Sequence, residues 1–277
     1  MLSAHQDGRA GIRGLDDFQG WSASRASMKI SVITVSYNSA ETIEATLLSV
    51  ASQTYSDAEH IVIDGASTDS TLSIIGKYRD KLAVVVSEPD QGIYDAMNKG
   101  LKLVSGDVIG FLNADDIYAD DGVLEQVAQV FGNTSVDACY ADLVYVDRND
   151  LKRVIRYWKS CEYRDGLFER GWMPAHPTFF VRRKIYEKFG GFDSEFKLQA
   201  DFDLTMRFLE IYHIQAVYIP RIFVRMRIGG VSNRLGNIFR GNLEAWRACR
   251  KNGLNVGPFF MFTKIMSRVP QFFFRPE

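Results

Sequence analysis

A chain of 277 residues with 46% apolar content is long enough to bury a real core, so it is a folded globular protein. Lysine plus arginine total 33 against 34 acidic residues; the net charge of −1 argues against nucleic acid as the main partner, and any phosphate it binds must be held by a local site. Cys139, Cys161 and Cys249 are odd in number and far apart, with no Cys-x-x-Cys pair and no His at metal-finger spacing, which points to a reducing, cytoplasmic compartment.

Residues 1–27 are rich in Gly, Ser, Arg and Asp and hold no apolar stretch of signal-peptide length. They read as a disordered tail, with the folded domain starting at Met28. No run approaches the roughly 20 apolar residues that a membrane-spanning helix needs. From Ile30 to Val35 a β-branched run marks a strand buried on both faces, the natural place for a central parallel strand. Asn38 to Glu41 then offers a helix cap, and Ile43, Leu47 and Val50 recur at helical spacing. The unit repeats: His60 to Ile63 is a strand, Asp64 to Asp69 a loop, and Thr71 to Tyr78 a helix with Leu72, Ile75 and Tyr78 on one side. Leu82 to Val86 gives a third strand. Ile93, Met97, Leu101 and Val104 trace a helical stripe that stops at Ser105-Gly106, and Asp107 to Leu112 is a fourth strand.

Strands and helices alternating through short loops predict right-handed crossovers and an α/β, doubly wound, mostly parallel sheet. Ligands bind such sheets outside the carboxyl ends of the strands. Beyond residue 130 the rhythm loosens. Val136 to Val146 and Arg153 to Tyr157 read as strands, Trp172 to Arg183 as mixed loop and strand, and Phe202 to Tyr212 as a helix with Leu204, Phe208 and Ile211 facing in.

Chemistry concentrates in a few places. Phe111 to Asp116 is an apolar strand ending in adjacent carboxylates, Asp115 and Asp116, at the ligand edge. Hard oxygen ligands suit Mg²⁺ or Mn²⁺, whose shells are completed by phosphate oxygens and water; the same two residues would also serve simply to end the strand and cap the segment Ile117 to Phe131. Asp64 closes the second strand, where a carboxylate can accept hydrogen bonds from ribose or a base, or merely form an Asp-Gly turn. Tyr37, after the first strand, could stack on a base or fill the core. Asp201 stands at a helix start, where a carboxylate is both a good cap and an ionised proton acceptor.

Taken together, residues 30–38, 61–71, 87–100 and 106–116 resemble glycosyltransferase family 2, in the proper order and spacing, and the similarity runs over roughly residues 28–230. It is of the kind seen in bacterial transferases that build exopolysaccharide. The resemblance implies the GT-A fold, a nucleotide-diphosphate sugar as donor, a divalent cation and inversion at the anomeric carbon. It also implies a donor-binding half over 28–132 and an acceptor half over 133–232 containing a smaller mixed sheet; beyond this one contiguous domain, 233–277 reads as a short helical extension. By the family pattern Thr34, Tyr37 and Asp64 fall at nucleoside positions and Asp90 beside the nucleotide. The family's Asp-x-Asp metal motif falls on Asn113-Ala114-Asp115, so Asn113 becomes a ribose contact and metal ligation passes to Asp115 or its neighbour Asp116. Asp201 falls at the position of the catalytic base, with Ala200 in place of the more common Glu. His176 resembles a residue bordering the acceptor, and Arg227 a residue that pairs with the donor diphosphate.

The stretch 258–275 mixes Phe259, Phe260, Phe262, Ile265, Met266, Val269 and Phe272 to Phe274 with Lys264, Arg268 and Arg275. That composition suits a helix lying in a membrane interface, at the inner face of the cell membrane beside a lipid-linked saccharide acceptor. It equally suits core packing or a contact in a homo-oligomer. Two other readings compete for the whole chain: a sugar nucleotidyltransferase, which would carry a glycine-rich basic loop where this chain has Ser36-Tyr37-Asn38-Ser39, and a non-catalytic nucleotide-sugar-binding subunit.

Overall fold

The computed structural model describes residues 28–229, 235–257, 259–266 and 271, so the tail expected over 1–27 and part of the apolar stretch 258–275 lie outside the described residues. β1 (Ile30–Ser36) is buried along its whole length, Ser31, Thr34 and Ser36 included, as befits a strand covered on both faces. It pairs in parallel with β2 (Ala58–Asp64) on one side and β4 (Val108–Phe111) on the other, and β3 (Val84–Ser87) continues the parallel set beyond β2. The crossovers cover both faces. α1 (Ile43–Ala51) and α2 (Thr71–Lys77) bury Ile43, Leu47 and Ile75 on Val62, while α3 (Ile93–Leu101) packs Ala96 and Met97 against Ile33 and Ile63 on the opposite face. Each such aliphatic side chain taken fully out of water contributes roughly 1.5–3 kcal/mol.

The second half joins the same sheet. β8 (Phe180–Arg182) runs antiparallel to both β4 and β6 (Ala138–Val146), producing one nine-stranded sheet in the order β3-β2-β1-β4-β8-β6-β9-β5, with β5 (Asp116–Tyr118), β9 (Ala216–Arg227) and β7 (Val154–Trp158), which pairs with β6. The sheet is therefore parallel over β3-β2-β1-β4 and mixed beyond β4. Gly110 makes the β4–β8 seam possible, because a Cβ there would lie 2.3 Å from Phe180 Cε1. α4 (Val123–Phe131) and α5 (Arg183–Phe189) cover the sheet, and α6 (Ala200–Met206) runs on into a π-helical turn, Arg207–Ile211, with Leu204 and Phe208 fully buried. α7 (Leu235–Lys251) and α8 (Phe260–Met266) form the helical carboxy-terminal region, and no helix among the described residues is long and apolar enough to cross a membrane.

Several local expectations change. Asn38 does not cap α1: it sits at φ +47° and its Oδ1 accepts the Thr68 amide, so the helix waits until Ile43. Leu72 is exposed on α2, where Thr71 and Ile75 face inward instead. Ser105-Gly106 does not cap α3, which ends at Leu101; Gly106 is needed because a Cβ would lie 2.7 Å from the Lys29 carbonyl. The segment expected to turn helical after Asp116 first forms β5 against β9. β9 itself escapes a pattern reading because Pro220 interrupts it; pairing with β6 jumps from Ile219 opposite Ala141 to Ile222 opposite Asp142, passing over the proline.

Candidate active site

Because β1 to β4 are parallel, the loops leaving Ser36, Asp64, Ser87 and Phe111 emerge at one edge of the sheet. Asp64 is fully buried there. Its Oδ1 accepts the Ser36 and Ser67 hydroxyls at 3.0 and 2.5 Å, and its Oδ2 accepts the Ser67 amide and the Ser87 hydroxyl, both at 2.8 Å. Both oxygens are thus spent on the protein, and Asp64 ties three loops of the edge together. Thr34 is also fully buried, and its hydroxyl lies 2.8 Å from His60 Nε2 inside the α1/α2 face. Neither side chain opens onto the edge. Tyr37 does, at 63% exposure, and Asp90 lies beside it: a Cβ on the intervening Gly65 would come within 2.4 Å of Asp90 Oδ2 and 3.4 Å of Tyr37 Cδ2. Only glycine lets these two close so tightly.

Beyond β4 the chain presents Asn113, Ala114, Asp115 and Asp116. Ala114 packs inward on Ile43 and Leu47. Asp116, in β5, is fully buried; its Oδ2 accepts Asn113 Nδ2 at 3.3 Å, while its Oδ1 and Asn113 Oδ1 are buried without a hydrogen-bond partner. Asp115 is half-buried, and its carbonyl accepts Arg227 Nη1 at 2.6 Å from the end of β9. Burial raises the Asp115 carboxyl above its ordinary value, against the opposing pull of Arg227 and Arg148. Burial, then the charge of Asp115, pushes Asp116 well above its own. Burial lowers Arg227, and the two carboxylates counter it. Two carboxyl groups and an amide oxygen, with buried acceptor atoms left unsatisfied, are hard donors short of positive charge, so the residues fit a divalent cation. Among the described residues no group of three or more His, Cys, Asp or Glu side chains forms a metal cluster, so the pair would leave the rest of a coordination shell to ligand and water.

Asp201 lies in the first turn of α6, half-buried, where Oδ1 accepts the Tyr94 hydroxyl at 3.0 Å and the Phe202 amide at 2.8 Å. Tyr94 opens α3 directly after the loop bearing Asp90, so Asp201 is drawn to the same edge. His176 is buried with Nε2 unpartnered, its ring 5.5 Å from that of Phe111, the last residue of β4. Burial lowers its imidazole, and the nearby Asp201 charge opposes this. Tyr94, Phe111, His176 and Asp201, from distant parts of the sequence, are thus linked through hydrogen bond and ring contacts.

Residues 31–190 match the profile of Glycosyl transferase family 2. The chain belongs to that family. It is 30% identical over 214 residues to a PGL/p-HBAD biosynthesis glycosyltransferase of Mycobacterium bovis, covering 76% of this chain and 81% of the relative. It is 33% identical over 184 residues to an uncharacterized glycosyltransferase of Mycobacterium tuberculosis, covering 64% and 68%. Among solved structures, S. aureus TarS in complex with UDP-GlcNAc superposes with a TM-score of 0.63 at 21% identity over 85% of this chain and 69% of that one. The mannosyltransferase PcManGT of Pyrobaculum calidifontis, in complex with GDP-Man and Mn²⁺, does so at 0.62 and 20%, over 90% and 73%. The fold of this family 2 glycosyltransferase is the GT-A arrangement.

Residue patterns alone passed over several members of the transferase's edge. Tyr94 sits inside the motif that drew attention to Asp90, yet a phenol on a helical stripe reads as core. The serines around Asp64 are too common to stand out, and, away from the edge, His60 hides in a strand run beside Thr34. Phe192, whose ring meets Tyr94, Phe111 and His176 at 5.5, 5.2 and 5.4 Å, carries no signal beyond its hydrophobicity.

Proposed function

We propose that this transferase moves a sugar from a nucleotide-diphosphate donor to a hydroxyl of a saccharide or lipid-linked saccharide acceptor, with inversion. The observation that carries the reading is the Asp201 carboxylate, anchored through Oδ1 at a helix amino terminus, at the edge that also holds Asp115 and Asp116. Asp201 takes the proton of the acceptor hydroxyl as its oxygen attacks the anomeric carbon from the face opposite the diphosphate. The bond to the diphosphate breaks and its electron pair leaves with the nucleotide. General-base help of this kind contributes about 10²- to 10⁴-fold. Asp115 and Asp116, with Asn113 beside them, would hold Mn²⁺ or Mg²⁺, which when bound supplies charge neutralisation to the leaving diphosphate. Arg227 adds fixed positive charge beside that pair, Tyr37 offers a face for the base, and Asp90 borders it. His176, wedged between Phe111 and Phe192, borders the acceptor side. The two solved neighbours bound to nucleotide sugars, one with Mn²⁺, support the donor class.

The test is to incubate the purified protein with UDP-, GDP- and dTDP-sugars, Mn²⁺ and a panel of saccharide acceptors. A transferase releases nucleoside diphosphate; turnover of pyrophosphate instead identifies a nucleotidyltransferase, and no release from any donor identifies a binding subunit. Proton NMR of the product then reads the anomeric configuration.

Peripheral association with the inner face of the cell membrane fits the form of α8 and the residue before it. Phe259, Phe262, Ile265 and Met266 are 75%, 63%, 47% and 47% exposed, while Lys264 and Phe260 are the residues turned inward. Lys264 donates to Gln199 Oε1 at 2.6 Å and lies 4.2 Å from the Phe202 ring centroid. An apolar outer face over a polar inner contact suits an interfacial helix. Phe262→Ser is expected to reduce co-sedimentation with phosphatidylglycerol/phosphatidylcholine vesicles; equal sedimentation of the two proteins contradicts membrane seating.

A further inference from the structure

Asp201 is gripped on one oxygen only. Oδ1 takes both the Tyr94 hydroxyl and the Phe202 amide, and among the described residues Oδ2 accepts no hydrogen bond. Tyr94 is itself held firmly. Its ring stacks on Phe192 at 5.5 Å, and Phe192 is edge-on to Phe111 and His176. Asn98, one turn along α3, fixes the Phe192 backbone from both directions: its Nδ2 donates to the Phe192 carbonyl and its Oδ1 accepts the Phe192 amide, each at 2.9 Å. Gly191 permits that grip, since a Cβ there would lie 2.4 Å from Asn98 Oδ1. At its start α3 follows directly on Gly92, whose amide donates to Asp90 Oδ1 at 2.8 Å and whose φ of +119° favours glycine. One short helix therefore touches the donor-side loop, the aromatic cluster under His176 and the carboxylate of Asp201. Burial, then the charge of Asp201, raises the Tyr94 phenol well above its ordinary value, so it stays protonated and remains a donor.

We propose that Tyr94 is a positioning residue for transfer: its hydroxyl, presented by α3, fixes the Asp201 carboxylate through Oδ1 and keeps Oδ2 available to the acceptor hydroxyl. This rests on the reading of Asp201 as the base. Preorganising a catalytic group in this way acts on the chemical step more than on ground-state binding. The informative change is Tyr94→Phe, which removes the hydroxyl and keeps the ring on Phe192.

Wild type, Tyr94→Phe and Asp201→Asn are compared by nucleoside diphosphate release from the panel of UDP-, GDP- and dTDP-sugars with Mn²⁺, with thermal unfolding of each recorded alongside. The expected result for Tyr94→Phe is a kcat lowered about 10- to 100-fold, within the range for base catalysis, with the donor KM within about twofold of wild type and the melting profile retained. Wild-type kcat in Tyr94→Phe together with an inactive Asp201→Asn overturns the positioning role and leaves Asp201 as the base. A Tyr94→Phe protein that loses its melting transition, or whose loss lies in KM, shows a structural or donor-binding role instead and also overturns it. Full turnover in Asp201→Asn, or no release by wild type from any donor, removes the reading beneath it.

Discussion

Asp64 and Asp116 are both fully buried carboxyl groups at strand ends, and they differ in what their oxygens do. Asp64 spends both on serine and backbone donors, whereas Asp116 keeps Oδ1 without one. The first is the pattern of a structural acceptor, the second of a group waiting for a ligand. Asp64→Ala is expected to cost about 3 kcal/mol or more in chemical denaturation, because Ser36, Ser67 and Ser87 lose a charged acceptor in the interior. Asp116→Asn removes the carboxyl at constant shape; it should leave the denaturation midpoint nearly unchanged while abolishing the added stabilisation by Mn²⁺ with nucleoside diphosphate. His60 contributes to the acid sensitivity, as does His176, which burial lowers in the same direction. Complete burial beside Thr34 lowers the His60 imidazole from 6.5 to about 3. A depressed histidine adds no pH dependence above 6.5. As pH falls from 6.5 towards about 3, the unfolded chain binds a proton that the native state refuses, so stability declines by up to about 1.4 kcal/mol per pH unit. Replacing His60 with Gln should flatten that slope in denaturation midpoints measured at pH 7, 6 and 5; an unchanged slope assigns the acid sensitivity elsewhere.

At the scale of elements, α3 is the piece on which the site depends. Its approach to the sheet is set by Gly100, where a Cβ would lie 2.6 Å from Ile33 Cγ2. Gly100→Ala must push α3 off β1, at about 1–3 kcal/mol for the overpacking, and is expected to lower turnover along with the melting temperature. The first four strands and three helices were legible because each carries one clear period or a β-branched run; Asp115 and Asp201 draw attention as carboxylates beside a strand and at a helix start, whereas Asp90 is singled out by the family resemblance alone. The second half was less so. β5 is three residues long and follows two carboxylates, and β9 contains Pro220, so neither offers the alternation by which a strand is read. Nor could residue spacing show that Asp64 and Thr34 turn inward: burial of a polar side chain depends on which donors arrive from other strands.

At the scale of the molecule, the parallel first half of the sheet puts the loops after β1 to β4 at one edge, where Tyr94 meets Asp201, and β8 is the seam to the mixed second half. A ligand engaging both Tyr37 and the Asp115–Asp116 pair should therefore stabilise the whole fold, by about 2.7 kcal/mol at a concentration 100-fold above its Kd. A thermal-shift comparison of UDP, GDP and dTDP, each with and without Mn²⁺, should single out one base and show metal dependence; equal, metal-independent shifts would place the nucleotide elsewhere. The most direct measurement is made on Asp201→Asn, recording stabilisation by that nucleotide with Mn²⁺ and release of nucleoside diphosphate from the matching sugar donor in the same preparation. Stabilisation equal to wild type with release lowered at least about 10²-fold is the predicted result. Release at the wild-type rate would contradict it.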